Sequence, residues 1–319
     1  MVALLKFTLR RLVQALVALV LTTFVVYLGL FVWRDPFAIS ESGRVVPADI
    51  QAALRAKFGM DHPFFVRYLI FLKNLFTGDL GIDFEYRRPV ADMVFHAVPK
   101  TFGLVVIAIV VQALVGLTAG IYAAVTKRPL RDALVTTSMT VLFCVPVFVV
   151  GIMLKSLLSG LRIFDFEVFA PVPHRFVIEY PWLTEALLPG LCIGVVGIGI
   201  IARVARGSMV EALSADYIRT ARGKGISEWR VIVVHALRNA LIPVVTLFGI
   251  EFGALLAGSF IVEGIFDYTG VGYMFLVALR KNNDPVIMAV TVYSLIAFIT
   301  LSALVDVLYA RLDPRIRVH

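Results

Sequence analysis

Arg219 and Arg222 stand three residues apart, with Lys224 just behind them, in the run Tyr217–Pro243, YIRTARGKGISEWRVIVVHALRNALIP. Residues at that spacing share one face of a helix, so a helix over Tyr217–Arg222 presents a doubly cationic edge. Gly223 and Gly225 supply the backbone freedom to end it and turn the chain. Ser214 or Asp216 is placed to cap its start, and Ser227 to cap a second helix leading into Ala240. A short helix between two turns is a compact knob. Its chemistry is recognition rather than catalysis. Guanidinium groups suit acidic residues of a soluble partner, and the small Ala221 and Gly225 suit close contact. The candidate docking set is Tyr217, Arg219, Thr220, Ala221, Arg222, Gly223, Lys224 and Gly225. The plain alternative is a cationic loop that only fixes orientation in a membrane.

The elements that must position this knob are apolar. The chain has 319 residues, 60% of them hydrophobic, and a mean hydropathy of +0.91. A soluble domain of this size cannot hide so much apolar surface. Blocks at Leu12–Trp33, Thr101–Val125, Ala133–Leu158, Ala186–Ala202, Ala240–Val262 and Val286–Ala310 approach or exceed the roughly 18–20 residues that span hydrocarbon. The fourth is the weakest, being short and interrupted by Pro189, Gly190, Gly194, Gly197 and Gly199; it suffices only if it starts before Ala186 or runs past Arg203. The reading is an all-α integral membrane protein with six transmembrane helices. Residues 1–97 form an N-terminal region, with one span and a polar outer loop. Residues 98–310 form the body, with helices at about 101–125, 133–158, 186–205, 240–262 and 286–310 and a connecting segment 211–238. A tail at 311–319 follows.

The net charge of +8 is sorted by membrane side. Met1–Arg11, Thr126–Asp132, Arg203–Arg238 and Arg311–His319 are cationic and would lie in the cytoplasm with both termini, as the positive-inside bias requires. This distribution argues for topology and against nucleic acid as a partner. The start is too long in its apolar run for a signal peptide and lacks a cleavage site. The outer loop Arg34–Lys100 holds two helical patches, Pro47–Phe58 and Val66–Phe76, the second broken by Gly78–Gly81.

Within the spans, Gly116 and Gly120 form a small-residue pair that allows close helix contact, and Pro146, Pro189 and Pro243 join them as packing and gate candidates. Glu251 lies mid-span. Intramembrane ionisable groups are costly and functional by default, so it either lines a pathway or is a buried structural partner. Lys155 and Asp306 lie nearer span ends, where snorkelling or local pairing accounts for them. Cys144 and Cys192 read as core residues, and neither they nor the scattered histidines suggest a metal.

Arg219-Thr220-Ala221, three residues, Gly225, and then His235–Pro243 resemble the cytoplasmic coupling motif of ABC-importer permeases of the dipeptide/oligopeptide branch. Leu9–Leu12, Asp35-Pro36, Phe58–Pro63, Gly78–Gly81, Gly258–Phe266 and Asp313–Arg315 follow the same branch in order, over essentially the whole length. Departures are Arg34 where Gly is usual and Thr269 where Pro is usual; Arg238, where the general motif has Pro, is usual in this branch. The resemblance implies a type I importer permease fold in the bacterial inner membrane. It also implies a second homologous permease, two ATP-binding subunits that use ATP and Mg, an extracytoplasmic binding protein and a peptide cargo. The chain has no phosphate-binding loop of its own, because Gly223-Lys224 is followed by Gly225 rather than Ser or Thr. It is therefore expected to bind no cofactor and to be no enzyme by itself. Nickel complexes or glutathione are alternative cargoes within the branch. An ion-coupled secondary transporter would favour inverted repeats and chains of carboxylates, and neither is found. On this reading Gly225→Glu uncouples transport.

Overall fold

A computed structural model describes residues 2–31, 62–84, 87–126, 128–158, 162–163, 166–167 and 181–312. The expected patch at Pro47–Phe58, Asp35-Pro36, residues 313–319 of the tail and the side chain of Asp306 lie outside the described residues. The chain divides into two compact units. One comprises Met1–Pro99 and Thr269–Ile299, the other Lys100–Tyr268 and Thr300–Arg317.

In the first unit, helix α1 (Val2–Phe31) packs on α2 (Phe64–Phe76) through aromatic rings. Tyr27, Tyr68 and Met288 are buried there among Phe24, Phe31, Phe64 and Phe71. The Tyr68 hydroxyl donates to the Val20 carbonyl at 2.8 Å and lies 3.1 Å from Thr23 Oγ1, so this buried phenol is satisfied. After α2 the chain turns through Gly78 and Gly81, at φ +82° and +84°, a conformation open to glycine at little cost. Beyond that turn Asn283 Nδ2 donates to Asp83 Oδ1, tying the turn to the start of the last helix.

The remaining helices follow in chain order, residues 100–268 and 300–317 belonging to the second unit. Helix α3 (Val90–Val125) is followed by α4 (Pro129–Cys144) and, after a 90° bend, by α5 (Val147–Leu157). The expected single span at Ala133–Leu158 is thus two helices. Pro146 sits at the bend, where it has no N–H to continue the ladder and disfavours α-backbone at Val145. A two-residue antiparallel ladder pairs Arg162–Ile163 with Phe166–Glu167.

Helix α6 (Pro181–Ser214) follows. The block that looked weakest in sequence is a helix of 34 residues, extending in both directions past Ala186 and Ala202. Pro189 lies inside it without a break. Then come α7 (Asp216–Gly223), α8 (Glu228–Ala257), the short α9 (Phe260–Ile265), α10 (Val271–Arg280) and α11 (Asp284–Leu312).

Glycine decides how these helices meet. A Cβ on Gly120 would strike the Ala202 carbonyl and lie 2.8 Å from Ala205 Cβ; one on Gly116 would lie 3.0 Å from the Ile198 carbonyl. On α6, Gly190 and Gly194 face Ile107 and Val111 of α3, and Gly199 faces Met139 and Phe143 of α4. Lipid gives no hydrophobic drive for helix association, so backbone approach and dispersion must supply it. Gly207, also on α6, has nothing within 4 Å of its would-be Cβ. Overpacking costs about 1–3 kcal/mol. Gly120→Val is therefore expected to lower the melting temperature of the purified protein clearly, and Gly207→Val much less, by thermal-shift measurement in detergent.

A basic knob and an intramembrane carboxylate as the candidate functional site

The knob begins where α6 ends. Ser214 and Asp216 do not cap α7 with their side chains. The N-cap is Ala215, the Ser214 hydroxyl donates back to the Glu211 carbonyl at 2.8 Å, and Asp216 sits in the first turn, 3.5 Å from Arg219. An acidic residue there is favourable at a helix N-terminus. Ser227 likewise makes no side-chain cap, although its carbonyl accepts from Val231 N–H at 3.0 Å.

The end of α7 is a Schellman turn. Ile226 N–H donates to the Ala221 carbonyl at 3.3 Å, and Gly225 N–H to the Arg222 carbonyl at 2.9 Å. Gly225 takes φ +74°. Ile226 packs with the residues beneath, as the motif favours. Those residues are Met209, Ala212, Ile218, Ala221, Val231, Ala236 and Ala240, a buried apolar cluster drawn from α6, α7 and α8.

This packing sorts the candidate residues. Ala221 is 6% exposed and turned into the chain's own cluster, so the expectation that it faces a partner is corrected. The small side chain is needed because α7 lies directly on α6 and α8. Tyr217, Arg219, Thr220, Arg222, Gly223, Lys224 and Gly225 are all exposed. Arg222 is already engaged, its Nε and Nη2 donating to the two carboxylate oxygens of Glu228 at 3.1 and 2.6 Å. That hydrogen bonding raises the Arg222 pKa above its ordinary value and stiffens the turn between α7 and α8. Asn239 Nδ2 donates to the Tyr217 hydroxyl at 2.9 Å. Trp229 is 75% exposed beside the knob.

The second feature lies on the same helix α8. Glu251 Oε1 accepts from Gln112 Nε2 of α3 at 2.9 Å. Gln112 is fully buried and opens a six-residue π-helical turn, Gln112–Leu117, a widening often met at functional positions. The pair fits because α6 has Gly197 opposite: a Cβ there would collide with the Gln112 amide and lie 2.9 Å from Glu251 Oε1. Glu251 borders a cavity of about 380 Å³ whose other walls include Phe143, Val147, Ile193, Leu247 and Ser259. Gln112 was not singled out in sequence, although a lone carboxamide in the middle of an apolar block is a usable signal.

Several other polar groups are matched. Glu263 is fully buried and accepts from Thr101 Oγ1 at 2.9 Å and Ser259 Oγ at 2.5 Å. Nearby, Tyr268 donates to the Lys100 carbonyl at 2.8 Å; burial, then the charges of Glu263 and Glu185, push its phenol pKa up. Lys155 pairs with Asp267 at 2.9 Å, and Arg206 grips Asp132 through two hydrogen bonds. Pro243 lies within α8. No cluster of three His, Cys, Asp or Glu residues suited to a metal ion occurs among the described residues.

Residues 116–318 match the family model described as "Binding-protein-dependent transport system inner membrane component", and residues 4–105 match the N-terminal model of the same kind of protein. The chain is 33% identical over 321 residues to a Glutathione transport system permease protein GsiC of Escherichia coli, covering 98% of this chain and 99% of that one. It is 32% identical, over the same shares, to the protein of that name from Shigella dysenteriae serotype 1. The crystal structure of an amino acid ABC transporter with histidines superposes with a TM-score of 0.52 at 15% identity, covering 69% of this chain and 94% of that one; this likeness establishes the fold.

A left-handed conformation costs a non-glycine residue about 1–2 kcal/mol. Gly225→Ala is expected to loosen the knob by roughly that amount. Gly223→Ala, at an ordinary helical position with open space around it, should be neutral or stabilising. Amide hydrogen exchange over residues 216–230 measures both.

Proposed function

The chain belongs to the family of binding-protein-dependent transport system inner membrane components, and from that premise we propose that its cargo is a di- or oligopeptide and that force enters through the α7 knob. The protein is a multi-pass permease subunit of an ABC importer. On this proposal it pairs with a second, homologous permease. Two ATP-binding subunits, which use ATP and Mg²⁺, dock on the knob, and a binding protein delivers cargo on the opposite face. Both termini lie in the cytoplasm with the knob.

The observation that carries this reading is the knob's construction. A cationic exposed face sits on a helix whose other face is buried in α6 and α8. A loop that served only to set orientation has no need of such anchoring. A docked partner that moves α7 must also move the two long helices beneath it. Nucleotide shifts the permease between its states only by as much as the docked subunits favour one state over the other, and the knob is where that difference is applied.

Glutathione is a specific second cargo. Relatives matching over nearly the full length are named Glutathione transport system permease proteins, and glutathione is itself a tripeptide with a free amino group, so it falls inside the proposed class.

The test is reversal of the exposed charges at Arg219 and Lys224 on the knob. Arg219→Glu combined with Lys224→Glu leaves the buried cluster and the Arg222–Glu228 pair untouched. In the assembled complex, cargo-stimulated ATP hydrolysis is expected to fall about tenfold or more, in line with like-charge contacts costing over 1.4 kcal/mol, and the ATP-binding subunits to co-purify less well. Unchanged stimulation and co-purification overturn the docking assignment.

A further inference from the structure

Glu251 has a second carboxylate oxygen. Oε1 is taken by Gln112, but Oε2 is buried with no hydrogen-bond partner, and so is Oε1 of Gln112. A buried acceptor without a donor is costly, and more so for a charged group in a membrane. The cavity wall supplies no remedy. Its lining residues include no Lys, Arg or His, and its one hydroxyl, Ser259, is committed to Glu263 at 2.5 Å. By contrast Asp132, Glu263 and Asp267 each have a cation or hydroxyl donor in place.

We propose that Glu251, steadied by Gln112, is the counter-charge that receives the ammonium group of a peptide cargo in this cavity. The proposal rests on the peptide reading above and deepens it. A volume of about 380 Å³ accommodates an aminoacyl-sized group. The terminal ammonium is common to peptides of any sequence, whereas their side chains vary. A single anionic anchor in otherwise aliphatic and aromatic walls binds the constant group and is indifferent to the rest. A hard divalent ion is a poorer fit, because it needs about six oxygen ligands and this wall offers one open carboxylate oxygen.

The experiment uses the complete complex in proteoliposomes, with binding protein and cargo at saturating concentration. Import of a tripeptide with a free amino terminus is compared with import of its N-acetylated form. The unmodified complex is expected to prefer the free amine. Glu251→Gln keeps the shape and the link to Gln112 but removes the charge, and the preference ratio should fall about tenfold, the worth of one charge-assisted hydrogen bond. Gln112→Met leaves the charge but removes the steadying N–H, should lower the ratio by a smaller factor, and carries the test if Glu251→Gln does not assemble. The selection made by the binding protein is the same in every arm and cancels between variant and parent. An unchanged ratio, equal loss of both imports, or no preference in the unmodified complex overturns the inference while peptide import stands. Failure of the unmodified complex to import either tripeptide overturns the peptide reading, and the inference with it.

Discussion

Close backbone contact at the glycines of α6 is the constraint on which the second unit depends. In water, helices associate because burial removes apolar surface from solvent; in lipid that gain is absent, and contact must come from dispersion between closely approached backbones. Helix α6 meets this requirement on several sides. Gly190 and Gly194 admit α3, Gly199 admits α4, and Gly197 admits the Gln112–Glu251 pair. Gly116 and Gly120 complete the contact from α3. On α8, Gly249 makes the equivalent room for Val305. A side chain at any of these positions would part helices whose spacing defines the cavity, so the polar pair and the packing are one arrangement.

The legible parts of the fold were those governed by local chemistry. Apolar runs located the spans, because bilayer thickness sets a length that sequence displays directly. The patch at Val66–Phe76 and the turn at Gly78–Gly81 were legible for the same reason: apolar spacing and glycine act over a few residues. What depended on tertiary context was not. The fourth span looked short because glycine and proline count against helix in water, whereas neighbouring helices in a membrane tolerate them. The break at Val145–Pro146 was hidden inside an unbroken apolar block, and hydropathy does not register a bend. At the knob, the basic face and Gly225 were readable, but Ala221 was placed on the wrong side. An alanine alone cannot say which helix face is buried. That answer came from Met209, Val231 and Ala236, which lie on other elements.

Buried polar groups divide by how they are satisfied. Glu263 is wrapped by the hydroxyls of Thr101 and Ser259, a network that fixes the joint between α8 and α9 and leaves that oxygen little scope to recognise anything else. Complete networks rigidify, while incomplete ones leave binding capacity. Glu251 is of the second kind, with one oxygen engaged and one open. The two glutamates are three turns apart in sequence and equally acidic in composition, so the distinction lies wholly in which donors the fold brings to each.

Helix α8 connects the knob to the cavity wall. It runs without interruption from Glu228, where Arg222 holds it to the knob, through Ala236 and Ala240 in the cluster under α7, to Glu251 on the cavity wall. At 1.5 Å per residue, Val231 and Glu251 are separated by about 30 Å along the axis, close to the hydrocarbon thickness of a bilayer. A rigid rod of that length converts a small tilt at one end into a displacement at the other. The rod is not uniform. Val231–Ala236 is a π-helical turn, and Pro243 removes the N–H that would bond the Asn239 carbonyl. Both departures lie between the knob and the carboxylate, so any bending of α8 concentrates there. On the docking proposed above, motion of α7 carries α6 and α8 with it and would reach the Gln112–Glu251 pair as a change in its separation, because Gln112 is carried by α3. On that proposal, the open oxygen of Glu251 lies where the position of α8 decides how much negative charge faces the cavity.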